Sequence, residues 1–329
     1  MMSKNVIVTY EPGAEEREIY QEILQELAQV HFLRDEPKSD RIKLLNAADI
    51  IIALSFAKKE IDAAEISLLQ NVRFIQLIYA GADNFPFELI PPEIILASNA
   101  GAFARPIAEH VLALALALAK KLIPKNKMLQ EGQFDRSGFN RELRGGVCGI
   151  IGFGGNGREI AKTMQAMGMR VYGINRSGKT DIPVDFIGTV EDLQKVLEDS
   201  DVVVVTAPLT RQTRNLIAEK ELAWMKNNAI LINVGRGDVI NQRALYEHLK
   251  SKPDFCAGID TWWSEPAGKE AFKLEYPFFE LPNIIGSPHI ADHVPHSIPH
   301  ATRSALENVR NFLMGNKLRG VLNREDYLR

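Results

Sequence analysis

Unbroken apolar runs alternate with helical-period segments along the whole chain. "NVIVTY" (5–10) and "DIIIAL" (49–54) have the continuous apolar character of strands buried on both faces of a parallel sheet. Between them, Ile19, Ile23, Leu24 and Leu27 recur at helical spacing. "RFIQLIYA" (73–80) and "IILASN" (94–99) predict two further strands, so the first hundred residues read as a small α/β unit. A long helix is predicted over 106–122, with Pro106 in the first turn, where its missing N–H would be unpaired anyway. The irregular polar stretch "EGQFDRSGFNRELRGG" then leads into a second alternating series. Its strands are "VCGIIGFG" (147–154), "RVYGINR" (170–176), "DVVVVTAP" (201–208), "AILINVG" (229–235), "FCAGID" (255–260) and "NIIGSPH" (283–289). Helical spacing fills 157–168 and 242–251, and a last helix over 302–315 stops at Gly315.

Composition narrows the function classes. A chain of 329 residues with 46% apolar residues has room for two domains and a large core. Its 39 basic and 42 acidic residues leave a net charge of −3, which gives no electrostatic reason to expect nucleic acid or an acidic membrane. Two cysteines, Cys148 and Cys256, both in apolar runs, do not make a disulfide framework and point to a reducing, cytoplasmic setting. Residues 1–20 show no secretory signal, and "VLALALALA" (111–119) falls well short of the ~20 apolar residues that span a bilayer.

"GFGGNG", Gly152 to Gly157, fits G-x-G-x-x-G, follows an apolar strand and opens a helix, the context that marks a dinucleotide site. Gly152 permits the tight turn, Gly154 lets backbone approach a pyrophosphate, and Gly157 lets helix and strand pack closely. Gly155 and Asn156 complete the loop, whose helix N-terminus favours an anion. The next strand ends in Asn175, 18 residues after Gly157, followed by Arg176 and Ser177. An acid there would bind the ribose 2′-OH of NAD and repel a 2′-phosphate. Asn, Arg and Ser can all donate to such a phosphate, so NADP is the expected preference, with NAD still usable.

Three polar residues stand at strand ends, where ligands of open α/β sheets bind. Arg236 follows "AILINVG", Glu265 lies five residues past Asp260, and His289 closes "NIIGSPH"; the spacings are 29 and 24. Singly, each has a structural use: a salt bridge, a helix-capping acid, a core histidine. Together with "GFGGNG", "APLTRQTRNLI", "INVGRGDVI", "GIDTWWSEP", "SPHIA", "IQLIYAGADNF" and "NAGAFARPIAEHVLALALALA", they resemble the D-isomer-specific 2-hydroxyacid dehydrogenases over nearly the whole chain, most of all the glyoxylate or hydroxypyruvate reductase type. The resemblance implies hydride transfer between a nicotinamide and a small 2-keto acid. It makes Arg236 the group that grips and polarises the substrate, His289 the acid/base, and Glu265 its partner. It also brings Ala207, Pro208, Val234, Gly235 and Asp260 to the cofactor, Asp260 at the nicotinamide carboxamide. Tyr79, Ala80, Gly81 and Ala82 become the loop that holds the substrate carboxylate, with Tyr79 as a pocket wall.

The same resemblance implies an α/β architecture of two Rossmann-like domains with an active-site cleft between them. One is a flavodoxin-like substrate domain, 1–101 with 292–329; the other is a doubly wound dinucleotide-binding domain, 102–291. It further implies a homodimer through the helix at 107–122 and the arm after it. Departures from the family pattern are Asn156 in place of an aliphatic residue, Arg105 and Pro106 before "IAEHV", and Thr206 where histidine is common. Glu265 itself argues against formate oxidation, since formate dehydrogenases of this superfamily carry Gln there. The remaining alternative is a catalytically silent NAD(P)-sensing scaffold.

Residues 287–300, "SPHIADHVPHSIPH", hold four of the seven histidines, His289, His293, His296 and His300. Pro295 and Pro299 argue against one helical face of metal ligands, so no metal is expected. His293, four residues past His289, is a candidate pocket residue, and Trp262 or Trp263 a candidate pocket wall.

Overall fold

The computed structural model describes residues 4–56, 60–266, 268 and 270–328. They fall into two compact units, one within 1–103 and 294–329 and one within 104–293.

The first unit contains β1 (Lys4–Val8), α1 (Ala14–Leu24), β2 (Ala28–Phe32), α2 (Lys38–Ala47), β3 (Ile50–Ala53), α3 (Ala63–Ile66), β4 (Phe74–Leu77) and β5 (Ile95–Ala97). Its five strands are parallel in the order β2-β1-β3-β4-β5, the flavodoxin-like order, with the switch point between β1 and β3. All of β3 and β4 is buried. β2 and α2 were not expected. "AQVHF" is an edge strand whose last three residues are only part-buried, so it lacks the apolar run that marks a central strand. "KSDRIKLLNA" carries one fully buried residue, Leu45, and gives no clear apolar stripe.

The second unit opens with α4 (Ala104–Ala119) and α5 (Leu122–Gln130). The helix predicted over 106–122 is α4, which ends at Ala119 ahead of a left-handed Lys121 (φ 53°), and α5 beyond it was not expected. There follow β6 (Val147–Ile151), α6 (Gly155–Ala166), β7 (Arg170–Ile174), β8 (Phe186–Gly188), α7 (Leu193–Asp199), β9 (Val202–Val205), α8 (Glu219–Trp224), β10 (Ile230–Asn233), α9 (Gln242–Ser251), β11 (Cys256–Ile259) and β12 (Ile284–Gly286). The seven strands are parallel in the order β12-β11-β10-β9-β6-β7-β8. The order reverses between β6 and β9, which opens a crevice at their carboxyl ends. β6, β9 and β10 are buried throughout, as near-continuous Val/Ile runs require. β8, a three-residue edge strand, escaped the sequence reading for the same reason as β2.

The chain then returns to the first unit as α10 (Ser297–Leu313), which packs on α1 and β4 and stacks Phe312 on Phe74 at 4.7 Å. α10 begins more than a turn earlier than predicted, because Pro299 lies in the first turn, where no helical N–H is lost. Gly315 follows it at φ 70°, the expected left-handed stop.

Candidate active site

The glycine loop leaves β6 and enters α6 over the crevice. Gly152 has φ 102°, and a Cβ there would lie 2.4 Å from the Ala207 amide nitrogen, so strand ends β6 and β9 meet only because it is glycine. A Cβ on Gly157 would lie 2.7 Å from the Gly152 carbonyl, the close helix–strand packing that the motif demands. At Gly154 the same Cβ would meet nothing within 4 Å; this exposed glycine is the N-cap of α6, with Gly155 and Asn156 as the first helical residues. The loop is therefore open at the one glycine that a phosphate must approach, above the free N–H groups of a helix start.

Two polar atoms at this crevice, Asn156 Oδ1 and Thr206 Oγ1, are buried without a hydrogen-bond partner. Orphaned polar atoms beside an open glycine fit a polar ligand such as a dinucleotide pyrophosphate. The strand ends around them are close-set. Val234 N–H donates to Val205 O (3.0 Å), Gly235 N–H to Asn233 Oδ1 (3.0 Å), and the Pro208 carbonyl accepts the Thr213 hydroxyl (2.6 Å). Ala207 is buried, and a Cβ on Gly235 would lie 2.7 Å from its carbonyl.

Beyond β7, the Asn175 amide is committed to its own loop. Nδ2 donates to Lys179 O (2.8 Å) and Phe153 O (3.3 Å), while Oδ1 accepts the N–H groups of Ser177 (3.0 Å) and Gly178 (2.8 Å). Asn175 shapes the turn that presents Arg176 and Ser177, both exposed, instead of offering its own donors.

The expected catalytic trio gathers at the ends of β10, β11 and β12. His289 Nδ1 is 2.8 Å from Glu265 Oε2, and each side chain is 39% exposed, so the pair can exchange protons with solvent. Half-burial works to raise the Glu265 pKa, but the bonds from His289 and from the Trp262 N–H outweigh it and hold the carboxyl below its ordinary range. The Glu265 bond raises the His289 pKa above 6.5 against the opposing effect of burial. Arg236 is near enough for its charge to act on both, lowering Glu265 and opposing protonation of His289. Its Nη1 donates to the Gly235 carbonyl at 2.8 Å. His289 itself has φ 53°, a conformation that costs a non-glycine residue ~1–3 kcal/mol and persists only where neighbours enforce it.

Asp260, expected at the nicotinamide carboxamide, is 1% exposed and holds the His289 segment. It accepts the Ser287 hydroxyl (2.6 Å) and the N–H groups of Ile290 (3.0 Å) and Ala291 (3.2 Å). Neither tryptophan is a free wall: the Trp262 indole donates to Ser287 O (2.8 Å) and that of Trp263 to Ile240 O (2.6 Å). Sequence reasoning missed Ser287 as a ligand of Asp260 and His110 as a ligand of Ser287 (2.8 Å). His110 and Ser287 are 177 residues apart and no local pattern joins them.

In the first unit, Tyr79 to Ala82 leave β4. The Tyr79 ring stacks on Phe103 at 5.7 Å, Ala82 is buried, and Ala80 and Gly81 are part-exposed. The other histidines scatter: His293 is exposed beside Asp292 (3.7 Å), His296 pairs with Glu15 (3.1 Å), and His300 is exposed on α10. Among the described residues, no group of three or more His, Cys, Asp or Glu could hold a metal, and no helix is long and apolar enough to cross a membrane.

A glycine-rich switch point under an open sheet, with a histidine–carboxylate pair and an arginine at the neighbouring strand ends, defines the class of nicotinamide-dependent oxidoreductases. Residues 112–291 match the family model of the NAD-binding domain of D-isomer-specific 2-hydroxyacid dehydrogenases. A hydroxypyruvate reductase of Thermotoga maritima is 31% identical over 256 residues, 77% of this chain and 81% of that one. A D-3-phosphoglycerate dehydrogenase of Methanocaldococcus jannaschii is 28% identical over 304 residues, 92% of this chain and 56% of that longer one. The crystal structure of a glycerate dehydrogenase related protein from Thermoplasma acidophilum superposes with a TM-score of 0.65 at 32% identity, covering 94% of this chain and 99% of that one. The chain belongs to the D-isomer-specific 2-hydroxyacid dehydrogenase family, and its enzyme class is that of the NAD-dependent D-2-hydroxyacid dehydrogenases.

Proposed function

We propose that the protein reduces a small 2-keto acid of the glyoxylate or hydroxypyruvate type to the D-2-hydroxy acid, with NADPH preferred over NADH. The observation that carries this is the 2.8 Å bond between His289 and Glu265, with the charge of Arg236 acting on both. When bound, the nicotinamide supplies or accepts the hydride. The planar Arg236 guanidinium grips the carboxylate and carbonyl oxygens of the substrate, fixing the face presented and stabilising the developing negative charge. His289, held protonated by Glu265, gives its Nε2 proton to the alkoxide oxygen and takes it back in the oxidative direction. Glu265 orients the ring through Nδ1 and favours the imidazolium.

Gly152, Gly154, Gly155, Asn156 and Gly157 hold the pyrophosphate, with Thr206 beside them. Ala207, Pro208, Val234 and Gly235 line the rest of the cofactor crevice. Asp260 contributes by holding the segment next to the nicotinamide, and Tyr79, Ala80, Gly81 and Ala82 bind the substrate carboxylate. The NADP preference rests on Arg176 and Ser177 at the tip of the turn that Asn175 builds. The second unit is then the dinucleotide-binding domain and the first the substrate-binding one.

The exposed apolar residues of α5 and the arm after it support a homodimer. Leu122, Ile123 and Leu129 are more than half exposed, Phe134 80% and Phe139 93%. Two free cysteines support a reducing, cytoplasmic setting.

The test is loss of absorbance at 340 nm with NADPH or NADH against glyoxylate, hydroxypyruvate and its 3-phosphate, and larger 2-keto acids. The expected result is turnover of the small acids with NADPH ahead of NADH, and in His289→Gln a kcat loss of about 10²–10⁴ with cofactor affinity retained. Silence across the panel with nucleotide still bound would make the protein a scaffold instead.

A further inference from the structure

The segment carrying His289 is gripped by its backbone from two sides, both within the second unit. On one side stands Trp262. Its indole N–H donates to the Ser287 carbonyl at 2.8 Å, two residues before His289. Its backbone N–H donates to Glu265 Oε1 at 3.0 Å, leaving Oε2 for the histidine. The ring packs against Phe272 and Phe279 at 5.3 and 5.4 Å, and a Cβ on Gly286 would come within 2.4 Å of it. One residue thus holds both members of the His289–Glu265 pair.

On the other side stands a polar chain. The His289 N–H donates to the Asp260 carbonyl at 2.9 Å, and the Asp260 carboxylate takes the N–H groups of Ile290 and Ala291. The Ser287 hydroxyl gives its single proton to Asp260 Oδ1 at 2.6 Å. What the hydroxyl oxygen receives comes from His110 Nε2 on α4, 2.8 Å away, so the network assigns the His110 proton to Nε2.

We propose that Trp262 and His110 are positioning residues for proton transfer: acting through Ser287 and Asp260, they enforce the left-handed conformation that presents His289 to Glu265. The proposal rests on the reading of His289 as acid/base. Neither residue touches the reacting atoms. An aromatic core residue alone would need only its ring, whereas Trp262 spends its backbone N–H on Glu265 and its indole N–H on the Ser287 carbonyl.

Three variants separate aim from packing. Trp262→Phe keeps a ring and removes the indole N–H, His110→Phe removes the Nε2 donor, and His110→Gln keeps a donor at nearly the same place. The readouts are the NMR titration of His289 Cε1–H, kcat and its pH profile, and dinucleotide affinity by fluorescence. The groups whose charge reaches His289 are Glu265, Arg236 and Asp260, none of which is substituted, and His110 Nε2 itself lies 3.6 Å from Asp260 Oδ1. In Trp262→Phe and His110→Phe the His289 midpoint should move down and the falling limb of the reduction profile should move with it. Their kcat should drop on the order of tenfold to a hundredfold, as small misplacements of a reacting group do. Dinucleotide affinity should stay near that of the parent, and His110→Gln should restore the parent profile. Folded Trp262→Phe and His110→Phe proteins with the parent's titration and pH profile would overturn the proposal. If Trp262→Phe does not fold, the contrast between the two His110 variants decides alone. Shifted His289 titrations in the variants of a parent that turns over no keto acid would sink the functional reading and leave only the hold on the His289 conformation standing.

Discussion

At the residue scale, the pH dependence follows from one hydrogen bond. Glu265 holds His289 protonated above 6.5, and His289 with Trp262 holds Glu265 ionised below 4.5. In the proposed mechanism keto-acid reduction uses the imidazolium, so its rate should fall as pH rises through the raised His289 value. Oxidation uses the neutral ring, so its rate should rise over the same interval. In Glu265→Gln the charge that favours the imidazolium is gone, and the falling limb should move to lower pH. Reduction at pH 8 should drop by about tenfold or more, while cofactor affinity, which Glu265 does not serve, changes little. A limb that stays in place would remove Glu265 from its role. The pair's own contribution to folding is fully present between 4.5 and 6.5. It is lost on the alkaline side as His289 deprotonates and on the acid side as Glu265 protonates.

The same scale shows where side-chain chemistry can be read from sequence and where it cannot. Arg236, Glu265 and His289 were legible because each sits just past an apolar strand, and parallel strands deliver their carboxyl ends to one edge. Asn175 stands at the end of β7, and its amide bonds within its own turn. A short amide at a strand end has two ways to spend its hydrogen bonds, on a ligand or on its own turn, and only coordinates separate them. Asp260 differs in the same way, since its burial and its three loop donors depend on a segment about thirty residues on.

At the element scale, the central strands were plain because Val and Ile runs buried on both faces have few other uses. Edge strands β2 and β8 and the weakly amphipathic α2 carry no such signature, and α5 was hidden behind a break that a left-handed Lys121 makes without glycine. Joins between elements also depend on side chains with no local pattern. Asn283, at the start of β12 and 5% exposed, sends Nδ2 toward the carbonyls of Leu249 (3.0 Å), Lys252 (3.2 Å) and Phe255 (2.7 Å). It ties the end of α9 to the entries of β11 and β12. Asn283→Ala should leave buried carbonyls unpaired at a cost of about 1–3 kcal/mol. Thermal unfolding should register this as a loss of roughly 2–4 °C per kcal/mol, with keto-acid turnover at 25 °C little changed. An unshifted melting temperature would show that water replaces the amide at no cost.

At the scale of the whole molecule, the alternation of strands and helices made two α/β units legible. The return of the last helix to the first unit came only from the family resemblance, since a helix lying across α1 and β4 looks like any amphipathic helix. Assembly is open to the same reasoning. Phe134 and Phe139 stand almost fully in solvent in one copy, an arrangement that a second copy would relieve. Light scattering should give twice 36.8 kDa, and Phe134→Ser with Phe139→Ser should shift the equilibrium toward monomer. A parent mass of 36.8 kDa would rule the dimer out.

Cofactor binding should be readable from the two cysteines, which both lie in the second unit. Cys148, in β6 between β9 and β7, is fully buried, and burial pushes its thiol up to about 12. Burial raises Cys256 as well, but it is only part-buried, with Arg141 and Lys121 pulling its value back down. Near neutral pH a thiol reagent should therefore label Cys256 first, and Cys148 only when the central strand is freed by unfolding. A ligand that binds the folded unit alone, at a hundred times its Kd, adds ~2.7 kcal/mol and lowers the open population ~100-fold. Cys148 labelling should slow by about that factor with NADPH, provided opening and closing outpace the reagent, while Cys256 labelling changes far less. NADH should need a higher concentration for the same protection if Arg176 and Ser177 read the 2′-phosphate. Equal protection by both nucleotides would withdraw the NADP preference. No protection by either would mean that the open glycine at 154 and the orphaned oxygens of Asn156 and Thr206 are not a dinucleotide cradle.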